Sequence, residues 1–196
     1  DFTMSSSWTT KYINQSQWSV NMFNRYTYLT DSFDPSNSEG AVALPADIGY
    51  HYTSFELSYQ SDRRKAFSYT FEPGFGQFYN GQRNVIQGSL NLRIQPKVVL
   101  GFQYEYNQLR MPKPYTDSNI ILLSPNVEIT FNKSVFWTTL IQYSDRNDNV
   151  GINSRLQWRF APLSDLFVVY NDNYFVEQFA PKFRSLNLKF TYWLNI

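Results

Sequence analysis

Apolar and polar residues alternate along most of this chain, and the alternation is most regular in its last stretch. From Arg184 to Ile196, the even-numbered residues after the first are all apolar, and all but one of the odd-numbered residues are polar. In an extended strand, successive side chains point to opposite faces, whereas a helix would scatter the same residues around its circumference. We therefore predict a β-strand with one apolar and one polar face.

Ten earlier segments repeat this pattern, so eleven long strands and no helix are predicted. The predicted strands begin near Phe2, Trp18, Gly49, Lys65, Arg83, Val98, Ser118, Val135, Val150, Leu166 and Arg184. Segments of this length are about twice as long as the usual strand of a soluble domain, and they match a tilted bilayer crossing. Between the fourth and fifth strands, the pair Asn80-Gly81 favours a type I′ hairpin. The predicted fold class is an all-β, antiparallel transmembrane β-barrel.

The predicted connections differ in length between the two ends of the strands. Short connections follow odd-numbered strands, near Asn14, Asp62, Pro96, Asn132 and Pro162. Longer connections follow even-numbered strands, at residues 31–48, 111–117 and 174–183. Outer-membrane barrels have short periplasmic turns and longer extracellular loops. The asymmetry therefore predicts a bacterial outer-membrane location, with the long loops extracellular and the C-terminus periplasmic.

Strand parity bears on how much of the barrel these residues contain. Bacterial single-chain barrels have an even number of strands with both chain ends in the periplasm, whereas eleven strands are predicted here. An unclosed sheet would leave backbone groups unpaired in lipid, which is costly. We therefore expect residues 1–196 to form one barrel domain, the C-terminal portion of a longer chain with at least one further strand upstream.

The aromatic residues on the apolar parity fall into two groups. Near the short turns lie Trp18, Trp137 and Trp158. Toward the long-loop ends lie Tyr26, Tyr28, Tyr104, Tyr106, Tyr143 and Tyr170. Amphipathic rings collect at both membrane–water interfaces, so these residues are predicted to form two girdles. Trp193 departs from the pattern because it falls on the polar parity.

Composition excludes several classes of function and of membrane protein. The net charge of +1 gives no reason to expect a nucleic-acid partner. The absence of cysteine excludes disulfides and thiol nucleophiles, and the single histidine, His51, leaves no histidine cluster for a metal or a catalytic triad. The chain contains no run of about eighteen apolar residues that could form a membrane helix. We predict no cofactor and no metal site.

Charged residues on the polar parity are the candidate functional residues. They are Arg25, Glu56, Arg93, Glu105, Glu128, Arg155, Arg159 and Lys189. The main interpretation is a polar barrel interior, and the alternative is a charged constriction that selects a solute. Glu105 and Glu128 lie on adjacent predicted strands, but carboxylates beside arginines are usual in a lumen, so no enzyme activity and no catalytic residue are predicted. Asp145, Asp148 and Asp172 are assigned to outer loops, where turn chemistry accounts for them.

Several stretches resemble one family of envelope proteins. They are residues 45–52, the segment GQFYNG at 76–81, residues 142–145 with 149–153, and the segment DLFVVYN at 165–171. They are similar to the C-terminal barrel domain of unassigned function in large envelope proteins of Bacteroidota, where it follows a carbohydrate-binding family 9-like domain. The resemblance implies an outer-membrane barrel. No stretch of the chain resembles the carbohydrate-binding domain, so no sugar-binding role follows for any residue.

We expect the barrel to act as a membrane anchor or accessory subunit of a surface assembly linked to glycan or protein handling. Its expected partners are outer-membrane lipid and other envelope proteins. One alternative is a transport pore for small solutes, and a second is a soluble ligand-binding β-barrel. A filled interior would favour the anchor and an open interior the pore, while lipid-facing girdles argue against the soluble barrel.

Overall fold

The chain is all-β in a computed structural model that describes residues 1–146, 148–176 and 180–194. Within these ranges there is no helix, and eleven antiparallel strands form one sheet whose strand order follows the chain. The strands are β1 (Phe2–Lys11), β2 (Gln17–Leu29), β3 (Ile48–Gln60), β4 (Phe67–Phe78), β5 (Gly81–Ile94), β6 (Val98–Arg110), β7 (Ser118–Thr130), β8 (Val135–Ser144), β9 (Asn149–Ala161), β10 (Ser164–Tyr174) and β11 (Pro181–Thr191). The predicted all-β class and strand number are confirmed. The sheet is open in the described ranges, with β1 and β11 at the two ends of the strand order.

Within each unit, the register between strands joins the alternating residues into two faces. In the N-terminal part, Val20 pairs with Trp8 on one side and with Leu57 on the other. In the C-terminal part, Val168 pairs with Leu156 and Leu188. Residues directly opposite each other in an antiparallel pair project to the same side. The pairing therefore collects apolar side chains on one face of the sheet and polar side chains on the other.

The last strand is shorter than the alternation predicts. The pattern extends to Ile196, whereas β11 ends at Thr191, which pairs with Asp165 near the start of β10. Beyond this pair β10 supplies no further ladder partner, and the backbone N–H of Trp193 donates instead to the hydroxyl of Ser164 at 3.0 Å. The end of the strand is thus set by the length of its neighbour. Residues 195 and 196 lie outside the described ranges.

The turn between β4 and β5 differs from the predicted type I′ hairpin. Its two central residues are Tyr79 and Asn80, and of these only Tyr79 has a positive φ, of 52°. A type I′ turn requires positive φ at both central positions, so this prediction is wrong. Gly81 is the first residue of β5, where a Cβ atom would lie 2.4 Å from the carbonyl oxygen of Arg110. This glycine is needed for the close approach of two backbones.

Connection lengths follow the predicted asymmetry only in part. The two longest connections, residues 30–47 and 111–117, follow the even-numbered strands β2 and β6. The connections after β4 and β8, residues 79–80 and 145–148, are as short as those after odd-numbered strands. The third predicted long connection, residues 174–183, is shorter because β10 ends at Tyr174 and β11 begins at Pro181, and residues 177–179 within it lie outside the described ranges. Among the described residues, the sorting of loops therefore rests on two long loops.

The chain divides into two compact units. Unit 1 contains residues 1–63, 69–88 and 105–120, and unit 2 contains residues 64–68, 89–104 and 121–196. The four buried hydrophobic residues found among the described residues are Leu44, Tyr52, Leu109 and Met111, all in unit 1. Among the described residues of unit 2, the buried positions are Gly101 and the polar residues Ser68, Ser164 and Asp172.

Candidate functional site: the polar face

In unit 2, the polar face carries a cross-strand row of charged and polar residues. Glu128 on β7 pairs with Thr138 on β8, which pairs in turn with Arg155 on β9. Directly paired residues project to the same side, so the register places Glu128 and Arg155 on one face as the alternation predicts. Both side chains are exposed.

Of the other three predicted lumen residues of unit 2, Arg93 and Arg159 make local contacts and Lys189 is exposed. Arg93 donates through Nη2 to the backbone carbonyl of Lys65 at 3.0 Å. Arg159 forms an ion pair with Asp165 at 3.3 Å, and an exposed pair of this kind contributes little to stability. Lys189 is exposed on the outermost strand β11, opposite Phe167. The predicted residues of unit 2 are therefore spread along the sheet.

In unit 1, the polar face contains two adjoining cavities. One of about 370 Å³ is lined by residues that include Asn21, Glu56, Glu72 and Arg83. The other, of about 140 Å³, is lined by residues that include Arg25, Glu56 and Arg83. The predicted residues Arg25 and Glu56 are brought together here. Glu105, also predicted, is half-buried on β6 and lines neither of these two cavities.

Arg83 and Glu72 also line these cavities, although neither is among the predicted lumen residues. Arg83 has the same parity on β5 as the predicted lumen residue Arg93, and Glu72 has the parity of Ser68 and Thr70 on β4. Parity would therefore have placed both on the polar face. Nothing in the sequence indicates that they lie beside Glu56, because that requires the register of β3, β4 and β5.

The two arginines of these cavities each donate one hydrogen bond to another described side chain. Arg25 donates through Nη1 to the hydroxyl of Ser54 at 2.7 Å. Arg83 donates through Nε to the side-chain oxygen of Asn107 at 3.1 Å. A guanidinium carries five N–H donors in a rigid fork. Both groups therefore keep N–H donors for a ligand.

The two carboxylates differ in their surroundings. Glu72 accepts hydrogen bonds from the Ser58 hydroxyl at 3.4 Å and from the Gln87 amide at 3.3 Å, one on each oxygen. Glu56 is exposed and has no hydrogen-bond or ion-pair partner in the part of the chain that the structure describes. Glu56 is thus a free carboxylate beside two arginines with unused donors.

A small apolar cluster covers the loop-side end of the polar face in unit 1. Leu44 from the loop 30–47 is fully buried and packs with Leu109 near the end of β6 and with Met111, the first residue of the loop 111–117. The loop folds back on itself through Phe33, whose N–H and carbonyl exchange hydrogen bonds with Leu44 at 3.0 and 2.8 Å. Phe33 also packs against Tyr79, with 5.5 Å between ring centroids. The interior side of unit 1 is therefore filled at this end.

Two aspartates hold these loops in place. Burial raises the pKa of Asp34, but hydrogen bonds from the Ser36 hydroxyl and from nearby backbone N–H groups outweigh it, so the pKa is lowered overall. The Met111 N–H donates to Asp117 at 2.7 Å, and Arg110 donates to it at 2.8 Å. The backbone bond from Met111, followed by the bond from Arg110, lowers the pKa of Asp117. Both loops thus depend on ionised carboxylates.

The opposite face of the sheet is apolar and exposed in each unit. Trp8 in unit 1 is 66% exposed and Leu188 in unit 2 is 71% exposed. Other exposed residues of unit 1 on this face are Phe2, Met4, Trp18, Phe71, Phe75 and Ile86. Those of unit 2 are Leu90, Leu92, Leu100, Ile121, Ile141, Leu156, Trp158, Leu186 and Phe190. Soluble monomers rarely expose contiguous apolar patches above a few hundred Å², so such a face requires a partner surface.

The predicted girdle residues all lie in strands, but not all of them lie near strand ends: Tyr104 is at the centre of β6 and Tyr170 is close to the middle of β10. On the short-turn side, Trp18 packs on Tyr59 with 4.8 Å between ring centroids, Trp158 is exposed, and Trp137 donates through Nε1 to the Ser154 hydroxyl at 2.8 Å. The predicted tyrosines on the loop side are exposed at Tyr28 and Tyr106 and half-buried at Tyr26, Tyr104, Tyr143 and Tyr170. The exposure of these rings does not test whether they lie at a membrane interface, so the two girdles stay a prediction.

Asp172 departs from its predicted outer-loop assignment. It lies in β10, opposite Arg184 of β11, and is fully buried. Its Oδ2 atom accepts hydrogen bonds from the hydroxyls of Tyr170 and Tyr174 and, at 2.9 Å, from Nε of Arg184. Its Oδ1 atom has no hydrogen-bond partner within the described chain. Three donors converging on one oxygen make this a structural cluster, which the sequence alone did not indicate.

Neither a metal centre nor a membrane helix is found in the described residues. No three side chains among histidine, aspartate and glutamate are grouped there so as to hold a metal ion. No helix long and apolar enough to cross a membrane occurs there either. Comparison with known proteins adds no identity: no protein-family model, no curated protein and no solved structure matches this chain.

Proposed function

We propose that this chain is a domain of an outer-membrane β-barrel, with its apolar face against lipid and its polar face toward the interior. The observation that carries the proposal is the exposed apolar face, present along the strands of both units. A protein partner would also bury such a face. Lipid is favoured because the strands are long, the opposite face is polar, and the exposed amphipathic rings of Trp18, Tyr28 and Trp158 lie near strand ends.

The open sheet edges support a larger barrel. β1 and β11 each have one neighbour in the strand order. An unpaired strand edge in lipid leaves N–H and C=O groups without partners, at several kcal/mol for each group. Because alternate strands of an antiparallel sheet reverse direction, β1 and β11 run the same way, and antiparallel closure needs an odd number of additional strands. We propose that further strands of the same protein supply them, giving the even number usual in bacterial barrels.

The proposed role is a membrane anchor or accessory subunit of a surface assembly, with the long loops outside and the C-terminus in the periplasm. The cluster of Leu44, Leu109 and Met111 supports this role because it fills the loop-side end of the polar face in unit 1. The resemblance to barrel domains of Bacteroidota envelope proteins is consistent with envelope partners and with a non-enzymatic role. The alternative is a pore for small solutes, favoured by the charged cavities of unit 1.

The absence of cysteine allows a direct test of the lipid-facing assignment. Leu156→Cys and Gln157→Cys place a fluorophore on adjacent residues of β9 that face opposite sides. With the protein in bilayers that contain a nitroxide-labelled lipid, the label at position 156 should be strongly quenched and that at position 157 weakly. Equal quenching at both positions, or stronger quenching at 157, would reject the proposal. Conductance across a planar bilayer would favour the pore over the anchor.

A further inference from the structure

The two cavities of unit 1 adjoin and form one depression, lined by both charged and apolar residues. Both are lined by Glu56, Gly74, Arg83 and Val85. The larger, of about 370 Å³, falls within the range of small-molecule sites, roughly 300–1,000 Å³. The depression can therefore accept a ligand the size of an amino acid or short peptide.

The charges that line the depression are arranged in complementary sets. Glu56 offers a carboxylate that has no partner among the described residues, whereas both oxygens of Glu72 already accept hydrogen bonds from neutral side chains. Arg25 and Arg83 keep unused N–H donors, and guanidinium groups bind carboxylates through paired hydrogen bonds. A ligand that carries both an ammonium and a carboxylate would pair with the Glu56 carboxylate at one end and with the arginine N–H groups at the other.

Other classes of ligand fit this arrangement less well. A simple anion would pair with the arginines but leave Glu56 without a cationic partner, and a simple cation would pair with Glu56 but leave the arginines without an anionic one. Sugars are commonly held against the open face of an aromatic ring. Of the aromatic residues that line the smaller cavity, Phe78 has the guanidinium of Arg83 5.5 Å from its ring centroid, and Phe55 and Phe75 stack on each other with 5.7 Å between ring centroids. Tyr52 packs against neighbouring rings, with 5.4 Å between its centroid and that of Tyr79.

Gly74 keeps the floor of the depression open. A Cβ atom at this position would lie 3.6 Å from Cγ of Glu56 and 3.8 Å from Cβ of Val85, which is ordinary van der Waals contact. Alanine would therefore fit without displacing its neighbours, while a leucine would extend into the cavity. The position offers a way to block the site sterically without changing any charge.

We propose that this depression binds a small zwitterion, an amino acid or a short peptide. Glu56 receives the ammonium group, and Arg83 together with Arg25 receives the carboxylate. The site goes beyond the proposed anchor role and uses only the polar face of unit 1. A test of this site is therefore independent of whether lipid or protein covers the apolar face.

The test is calorimetric titration of the folded, detergent-solubilised protein with alanyl-alanine. The expected result is saturable binding that weakens by about tenfold or more when the peptide is N-acetylated, and likewise when it is C-amidated, because each change removes one charged contact. Retention of β-sheet circular dichroism shows that the sample is folded. No saturable binding to folded protein, or equal binding of the blocked peptides, would overturn the proposal.

Variants assign the two ends of the peptide. Glu56→Gln should weaken binding of the free peptide but leave binding of the N-acetylated peptide unchanged. Arg83→Gln should likewise weaken binding of the free peptide but leave binding of the C-amidated peptide unchanged. Gly74→Leu should abolish binding of all three peptides, and Glu39→Gln, in an exposed part of the loop 30–47, should change none. If Glu56→Gln weakens binding of the free and N-acetylated peptides equally, Glu56 does not contact the ammonium and the assignment is wrong.

Discussion

The two units differ in what they bury at their loop-side ends. In unit 1, Leu44, Leu109 and Met111 form an apolar cluster under the loop 30–47. In unit 2, the buried group is Asp172, held by two tyrosine hydroxyls and Arg184. The apolar residues of the strands are directed to the exposed face in both units, so an apolar core forms only where a long connection folds back. The connections of unit 2 are shorter, and the buried group at its loop-side end is held by hydrogen bonds instead of by apolar packing.

The largest expected effect comes from emptying the apolar cluster of unit 1. Leu44→Ala removes a fully buried side chain and should destabilise the protein by about 2–5 kcal/mol, because the cavity left behind closes only partly. The measurement is urea unfolding in detergent, followed by tryptophan fluorescence. Val42→Ala, at an exposed position of the same loop, is the control and should change stability by less than about 0.5 kcal/mol. Similar losses for both variants would show that the loop does not depend on the cluster.

An intermediate effect is expected from breaking the polar cluster of unit 2. Asp172→Ala leaves Tyr170, Tyr174 and Arg184 without their shared acceptor, so the urea midpoint should fall clearly. The matched control is Arg159→Ala, which breaks an exposed ion pair on the opposite face of the same unit and should leave the midpoint almost unchanged. If the two variants have the same urea midpoint, the buried Asp172 cluster contributes no more to stability than the exposed ion pair does.

The smallest expected effect concerns acid and the loop 111–117. Hydrogen bonds from Met111 and Arg110 lower the pKa of Asp117 below its ordinary value of 3.8. A lowered folded-state pKa contributes stability that is fully present above the unfolded value and is lost as pH falls through the folded value. The stability difference between the wild type and Asp117→Asn should therefore be constant near neutral pH and shrink below about pH 4. A difference that stays constant down to pH 2 would contradict the role of this carboxylate.

Strand positions could be predicted because alternation is a local property. The faces of β2, β5, β7 and β9 follow from parity alone, and Arg25, Glu128 and Arg155 lie on the predicted side. The errors occur where the answer depends on a neighbour. β11 ends where its ladder with β10 ends. Gly81 is required because the backbone of Arg110 on another strand approaches it closely. Neither partner can be read from the local pattern.

The sequence by itself determined an all-β chain with eleven two-faced strands, because side-chain direction in a strand reverses with every residue. Only the tertiary structure decided which polar residues meet, because parity assigns a face but register assigns neighbours. Register brings Glu56 to Arg83 and Asp172 to Arg184. Loop closure likewise decided that Leu44 is buried, since its partners Leu109 and Met111 lie far along the chain.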